Sequence, residues 1–484
     1  MSPVTTMDTH ALRAAFARSL SAMYGKEVPA YTTLVDVSTA VNADAMAADP
    51  ATAERLGRID RVTAERHGAI RVGTERELSR VATIFAALGM SPVGFYDLRG
   101  SQKTSLPIVS TAFRPTTREA LAINPFRVFT SVLVTDDRRY FDADLQASLD
   151  EFLARRELFP DSVVALAERA EREGGLDGSE TEGPAADFLR GATACFELSS
   201  DPVDRAWYER LARISGVAAD IGGVTSTHIN HLTPRVLDID DLYRRMTERG
   251  ITMIDEIQGP PRWEGPDVLL RQTSFKALAE PRRFREADGS VVEGQLSVRF
   301  GEVEQRGIAL TRAGRDLYDR LVVEVDERVA AGENKESAKL AAWQALPSSE
   351  RELDRLGLGF FEYRLTGDRP GLERPADLAG LVDQGWVEAT PIVYEDFLPR
   401  SAAGIFASNL DDAGTSDVAA EGSLRDEAWM AEALGRDLGD PFELYARQRD
   451  ASLAALANQV GPLHPSRSHP TTTSNTDPTL EDAS

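Results

Sequence analysis

Of the six histidines in the 484-residue sequence (His10, His67, His228, His231, His464 and His469), three stand where their neighbours could make them chemically useful. In ERHGAIRVGT (65–74), His67 and Arg71 are four residues apart, a spacing that puts both side chains on one face of either a helix or a strand. A neutral imidazole binds a metal through a ring nitrogen, and a guanidinium fork takes a carboxylate with two parallel hydrogen bonds. The pair fits a metal ligand beside a carboxylate clamp, and equally a surface histidine beside an ion-paired arginine. In STHINHLTPRVLDID (226–240), His228 and His231 are three apart. On a strand only one of them enters a given pocket, whereas on a helical turn both can ligate. In SVRFGEVEQRGIALT (297–311), Val298, Phe300, Glu302 and Glu304 alternate onto one face of an expected strand. An acid among apolar neighbours is costly unless it is paired or ligating. Glu302 and its rival Glu304 are therefore candidate carboxylate ligands, with a solvent-facing pair of acids on an edge strand as the alternative. Two histidines and one carboxylate leave about three open positions, which suits non-haem Fe(II).

These residues need a scaffold, and the sequence outlines one. Leu12, Phe16, Leu20 and Met23 recur at helical spacing, and the Ala/Arg/Glu-rich stretches 51–66 and 75–88 continue a helical N-terminal layer. Strands are expected at 93–98, 106–113, 126–134, 224–237, 268–275, 295–311 and 360–365, and helices at 142–172 and 202–214. The Gly- and acid-rich segment 174–184 reads as an exposed loop. SSERELDRLG, at the end of a charged helical stretch over 312–357, begins like a capped helix. Arg127, Tyr96, the stretch 271–278 and the run Tyr394, Glu395 and Asp396 are polar groups in apolar strands, where buried hydrogen bonding or edge exposure is the expected role.

Composition narrows the classes. Apolar residues at 42% and charged residues at 27% describe an ordinary globular protein. The 54 Lys and Arg against 78 Asp and Glu give a net charge of -24, which repels phosphate backbones and anionic lipid, so neither a nucleic acid nor a membrane is an expected partner. Cys195, the single cysteine, excludes an internal disulfide or a thiolate metal cluster. No apolar run approaches the roughly 20 residues of a membrane span, and the N-terminus lacks the pattern of a secretory signal, so a cytoplasmic location is expected. There is no GxxxxGK[ST] loop, no GxGxxG after a strand and no GxSxG elbow. From Pro462 the chain is almost wholly polar, which sets His464 and His469 aside.

Taken together and in order, ERHGAIRVGT, HINHLTPRVLDID, LLRQTSFKAL, RFGEVEQRGIALT and VYEDFLPRSAAGIFASNL resemble the 2-oxoadipate dioxygenase/decarboxylase family, also called hydroxyglutarate synthase, over about residues 10–450. The resemblance implies an Fe(II) enzyme of lysine breakdown that converts 2-oxoadipate and O2 into (R)-2-hydroxyglutarate and CO2, on a fold similar to the vicinal-oxygen-chelate metalloenzymes. It implies His67, His231 and Glu302 as iron ligands, Arg71 as the group that holds the substrate's carboxylate, and a supporting or packing role for His228. It also implies a substrate contact in LPRSAAGIF, where the family pattern has Val before SAAGIF and this sequence has Arg400, leaving Arg400 or Ser401 to meet the substrate.

The expected architecture is an α+β catalytic domain over 1–460, with a mixed or antiparallel sheet core, a helical N-terminal layer and helical insertions, followed by a disordered tail over 461–484. The alternatives are a dioxygenase of another 2-oxo acid, a Zn or Mn hydrolase or isomerase using the same ligands, and a non-catalytic metabolite-binding protein.

Overall fold

The N-terminal apolar spacing folds into helices. Asp8 caps the first, Thr9–Glu27, by accepting from the Ala11 amide at 2.8 Å, and Leu12, Phe16, Leu20 and Met23 line its buried side. Pro29 opens the second, Pro29–Ala48, at a position whose N–H needs no helical partner. The computed structural model of the protein describes residues 6–50, 59–99, 106–297, 299–367, 371, 373–399, 401, 405, 409 and 422–463. The chain divides into two units, one built from residues 1–260, 267–307 and 393–444, the other from 261–266, 308–392 and 445–484.

The strands of the first unit among the described residues are β1 (Thr6–Asp8), β2 (Arg66–Val72), β3 (Ser91–Asp97), β4 (Ile108–Arg114), β5 (Arg127–Leu133), β6 (Gly175–Asp177), β7 (Val203–Asp204), β8 (His231–Pro234), β9 (Leu270–Phe275), β10 (Glu280–Arg285), β11 (Val291–Leu296) and β12 (Gly301–Arg306). Five of them make one mixed sheet in the order β3-β4-β5-β2-β8, in which β2 and β5 run parallel and the other neighbours antiparallel. β12 pairs antiparallel with β9. The Val236 amide donates to the Glu304 carbonyl at 2.8 Å, which ties β12 to the chain just beyond β8.

Both faces of the five-stranded sheet are covered. Ile70, Val72, Phe113, Val128 and Val132 pack with the N-terminal helices and with the helix Glu75–Ala87. Ala69, Phe129 and Leu133, on the opposite face, pack with Leu145, Leu149, Leu211, Ala218, Phe300 and Phe397. Side chains alternate along a strand, so His67, Ala69 and Arg71 all belong to this second face. The helices Ala143–Ala154, Arg205–Ala212 and Gly216–Gly222 thus cover the face that carries the candidate chemistry.

Several expected boundaries move. The strand at 224–237 shortens to His231–Pro234, and that at 295–311 to Gly301–Arg306. Segment 174–184 is not wholly an exposed loop: Gly175–Asp177 pairs antiparallel with β1, and Leu176 is buried. The approach is so close that a Cβ at Gly175 would lie 2.3 Å from the Met7 carbonyl oxygen, and its φ of +157° also favours glycine. The hairpin β10–β11 was not expected, because its strands are charged and lack apolar alternation, although Glu280 and Phe284 of β10 are buried; the Asp288–Gly289 turn was its one sequence signal.

In the second unit, helices Arg312–Ala330, Lys335–Trp343 and Glu350–Arg355 are capped by Thr311, Asn334 and Ser349, the last as the SSERELDRLG pattern required. β13 (Phe361–Leu365) pairs antiparallel with β14 (Val387–Pro391). No helix among the described residues is long and apolar enough to cross a membrane. The polar tail from residue 464, with His464 and His469, lies outside the described residues.

Candidate metal centre

Three side chains from three strands converge on one point. His67 comes from β2, His231 opens β8 and Glu302 follows Gly301 on β12. Their nearest donor atoms all lie within 4.8 Å of one another, and each residue is buried. His67 Nε2 is 3.3 Å from Glu302 Oε1, and His231 Nε2 is 3.4 Å from Glu302 Oε2. A metal bound at about 2.1 Å by each donor sets adjacent donors about 3.0–3.4 Å apart, and both histidine–carboxylate spacings are of that size. The donors are two imidazoles and a carboxylate, which suit Fe(II) and also Zn.

The far nitrogen of each imidazole has a polar neighbour, hydrogen-bonded at His231 and in charge contact at His67. His231 Nδ1 lies 3.0 Å from Thr233 Oγ1, and His67 Nδ1 lies 2.9 Å from Glu304 Oε2. Both arrangements leave Nε2 to face Glu302. Burial pushes the His231 pKa down to about 4, so at neutral pH its ring is uncharged and can donate a lone pair. At His67 burial also disfavours the cation, but Glu304 and Glu302 outweigh it and raise the pKa above the ordinary value. Gln272, on β9, donates to Glu302 Oε1 and holds the carboxylate from behind. Phe300 stacks on His231 at 5.2 Å, and Phe397 meets His67 edge-on at 5.0 Å, which walls the centre with apolar rings.

Arg71 stands on the same face of β2 and its Nη1 donates to Asp220. Asp220 also accepts from Asn230 Nδ2 at 3.0 Å, and its other oxygen is 3.5 Å from His228 Nε2. Burial works against charge on Asp220, but His228 and Arg71 hold its pKa below the usual carboxylate range. Burial likewise lowers His228 to about 4. Asp220 and His228 line a cavity of about 360 Å³ together with Phe152, Val203, Arg282 and Leu296.

Behind His67 lies an ion network that is buried except at Arg61. Arg306 grips Glu304 with two bonds of 2.7 and 2.8 Å, and Arg127 reaches Glu304 at 3.2 Å, Glu65 at 2.8 Å and Glu395. Arg235 adds a 2.8 Å bond to Glu65, and Arg61 one to Glu395. Burial favours protonation of Glu304, yet Arg306, His67 and Arg127 keep it ionised far below the usual range. Removing one partner from such a network leaves a buried charge uncompensated, at a cost of about 3–5 kcal/mol.

The sequence-expected residues are therefore brought together unevenly. His67, His231, Glu302, Glu304 and Arg71 share one site, and Glu302 and Glu304 are inward-facing, not an exposed edge pair. His228 precedes β8 in irregular chain and meets Asp220 and Asn230 instead of the three converging donors. Ser401 is buried, and Arg400 lies outside the described residues, as does Val298. Arg127, Glu395 and Asp396 are buried in ion pairs, in line with the buried hydrogen bonding expected of them and not with edge exposure; Asp396 meets Arg114 at 2.7 and 3.0 Å. Asp220, Thr233 and Phe397 escaped the sequence reading, and Gln272 was noted only within the polar stretch 271–278. Only Thr233 had a usable signal, since it shares a strand face with His231 at a spacing of two.

The model of the 2-oxoadipate dioxygenase/decarboxylase family matches residues 16–409. The 2-oxoadipate dioxygenase/decarboxylase of Mycobacterium tuberculosis is 53% identical over 447 residues, covering 92% of this chain and 98% of that protein. Its counterpart from Escherichia coli is 40% identical over 452 residues, covering 91% and 96%. The crystal structure of the hydroxyglutarate synthase from Pseudomonas putida in complex with 2-oxoadipate superposes with a TM-score of 0.81 at 38% identity, covering 94% of this chain and 99% of that one. With a match this long in sequence and in fold, the chain belongs to the 2-oxoadipate dioxygenase/decarboxylase family.

Proposed function

We propose that this chain is an Fe(II)-dependent dioxygenase that converts 2-oxoadipate and O2 into (R)-2-hydroxyglutarate and CO2, in lysine breakdown and in the cytoplasm. The observation that carries this reading is the convergence of His67, His231 and Glu302 with Arg71 on the same strand face. The relatives named above are 2-oxoadipate dioxygenase/decarboxylases, and the Pseudomonas putida protein holds 2-oxoadipate in its crystal, which supports the same substrate here.

His67, His231 and Glu302 would hold the Fe(II), which supplies Lewis acidity and the redox partner for O2 when bound. The chain's own side chains do the rest. Arg71 binds a carboxylate of the dianionic substrate and decides which end is presented to the centre. Asp220 anchors Arg71 Nη1, so the plane of the guanidinium is set before the substrate arrives. His231 stays neutral, and Gln272 keeps the Glu302 carboxylate from rotating. Phe300, Phe397 and Phe129 exclude water, which strengthens each remaining polar contact. Ser401 or Arg400 makes a further substrate contact. The substrate itself provides every electron that O2 takes, first in decarboxylation and then in hydroxylation, so no external reductant is required.

The test is O2 uptake by anaerobically Fe(II)-loaded protein given 2-oxoadipate, with product analysis. Uptake matched by CO2 and 2-hydroxyglutarate is the expected result. Uptake with a different 2-oxo acid alone moves the substrate, and turnover without O2 consumption replaces the reading with a hydrolase or isomerase.

A further inference from the structure

The ligand set uses one acid of β12, and the acid two residues further on points the same way. Residues i and i+2 of a strand share a face, and here the imidazole of His67 lies between the two carboxylates. Its Nε2 is 3.3 Å from Glu302 Oε1, and its Nδ1 is 2.9 Å from Glu304 Oε2, a charge contact off the line of a hydrogen bond. A neutral imidazole carries one proton on one nitrogen, and a carboxylate can only accept. The charge of Glu304, 2.9 Å away, favours that proton on Nδ1, which leaves the lone pair on Nε2, toward Glu302.

Glu304 is itself immobile. Arg306 holds both of its oxygens, at 2.7 and 2.8 Å, and Arg127 approaches Oε1 at 3.2 Å. Its carbonyl accepts from Val236 at 2.8 Å, so the backbone is fixed too. The second histidine is supported differently: the neighbour of His231 Nδ1 is a neutral hydroxyl, Thr233 Oγ1, at 3.0 Å. The two imidazoles are thus unequal, one backed by a charge and the other by a dipole.

Resting on the metal reading above, we propose that Glu304 is a positioning residue that locks His67 as an Nδ1–H, Nε2-donating imidazole, makes it the stronger of the two histidine donors, and so sets the affinity of the centre for its metal. Partners of this kind beyond the ligands are worth roughly 10- to 100-fold in metal affinity.

Co(II) serves as the probe, because its visible spectrum reports ligand geometry as well as binding. Glu304→Gln is compared with Glu65→Gln, which removes a charge from the same network, where Glu65 bonds Arg127 and Arg235 at 2.8 Å, without touching His67. The expected result is a Co(II) affinity roughly 10- to 100-fold lower in E304Q, with an altered spectrum, and an affinity within about threefold of the parent in E65Q. An E304Q protein that keeps parent affinity and spectrum, or two variants that lose affinity equally, overturns the assignment while the metal reading stands. A parent that takes up neither Co(II) nor Fe(II) overturns the metal reading and the assignment with it.

A second measurement needs no variant at either acid. In Zn(II)-loaded parent labelled with 15N-histidine, the Nδ1 proton of His67 should resonate further downfield and exchange more slowly than that of His231. The reverse order, or equality, overturns the assignment even if E304Q does not fold.

Discussion

His67 and His231 stand diagonally across the β2–β8 pair: His67 lies opposite Thr233 and His231 opposite Ala69, so both imidazoles leave the same face two residues out of register, with ring centroids 5.3 Å apart. Their separation is a property of strand register. A slip of one residue in β8 would send His231 to the other face and destroy the cluster. Because Glu302 arrives from β12, an ion bound to all three side chains would link three strands directly. A bound metal should then stabilise the fold by about 2.7 kcal/mol at a free concentration 100 times Kd. Thermal unfolding with and without Fe(II) under anaerobic conditions reads this, and His231→Ala should abolish the shift. A metal-induced rise in Tm that survives H231A would mean that the ion binds elsewhere.

Arg71 should govern substrate capture without touching the metal. Replacing it with Gln removes a charge-assisted contact worth about 1.5–3 kcal/mol, which lowers kcat/KM by roughly 10- to 100-fold. Metal content, measured on the same preparation, should match the parent. Loss of metal together with activity would place Arg71 in the architecture of the centre instead.

Acid should weaken the metal-free protein through its buried histidines. His228 falls from the ordinary 6.5 to about 4 on folding because burial disfavours its cation. Between those pH values the folded state binds fewer protons than the unfolded one, so stability rises with pH across the window. The contribution is fully present above about pH 6.5 and is lost as pH falls toward 4, on the order of 3 kcal/mol. His231 moves in the same direction to about the same value. In urea titrations at stepped pH, His228→Gln should reduce the slope of stability against pH by roughly half. An unchanged slope would show that His228 does not titrate as its burial requires.

Two glycines beside the ligands should respond oppositely to alanine. A Cβ on Gly301 would sit 1.8 Å from Phe275 Cε1, and Phe275 is buried, so Gly301→Ala must displace either β9 or β12. The expected cost is about 1–3 kcal/mol, with weaker metal binding because Glu302 is the next residue. A Cβ on Gly68 would meet Ile229 Cδ1 at 3.5 Å, an ordinary contact. Gly68→Ala should be neutral or stabilising by up to about 1 kcal/mol. Denaturation midpoints of both variants decide the matter, and equal losses would refute the packing argument.

What could be read from the sequence followed periodicity and spacing. The apolar repeat of Leu12, Phe16, Leu20 and Met23 marks a helix, and the His67–Arg71 interval marks a shared face whether the segment is helix or strand. The choice between Glu302 and Glu304 was a different kind of problem. Strand alternation puts both on one face; the family resemblance implied Glu302, and in the structure Glu302 is the acid that lies beside both His67 and His231. Asp220 and Phe397 were invisible for a related reason: their importance lies in contacts with Arg71 and His67 across long sequence separations, which local pattern does not encode. The hairpin β10–β11 hid because the inward side of β10 carries Glu280 and Arg282 beside its one apolar residue, Phe284, and β11 is largely exposed, so no apolar alternation marked it.

The division of the first unit into three stretches of sequence bears on how the protein is made. Residues 308–392 belong to the other unit, so His67, His231 and Glu302 all leave the ribosome well before Glu395, Asp396 and Phe397 are synthesised. At about 5–20 residues per second, that intervening stretch takes on the order of 4–17 seconds to translate. Throughout it, Arg127 has yet to meet Glu395, Arg114 has yet to meet Asp396, and the ring that closes over His67 does not exist. The nascent chain thus holds all three candidate ligands before it holds the wall that shields them, and the length of that interval is set by the pace of translation.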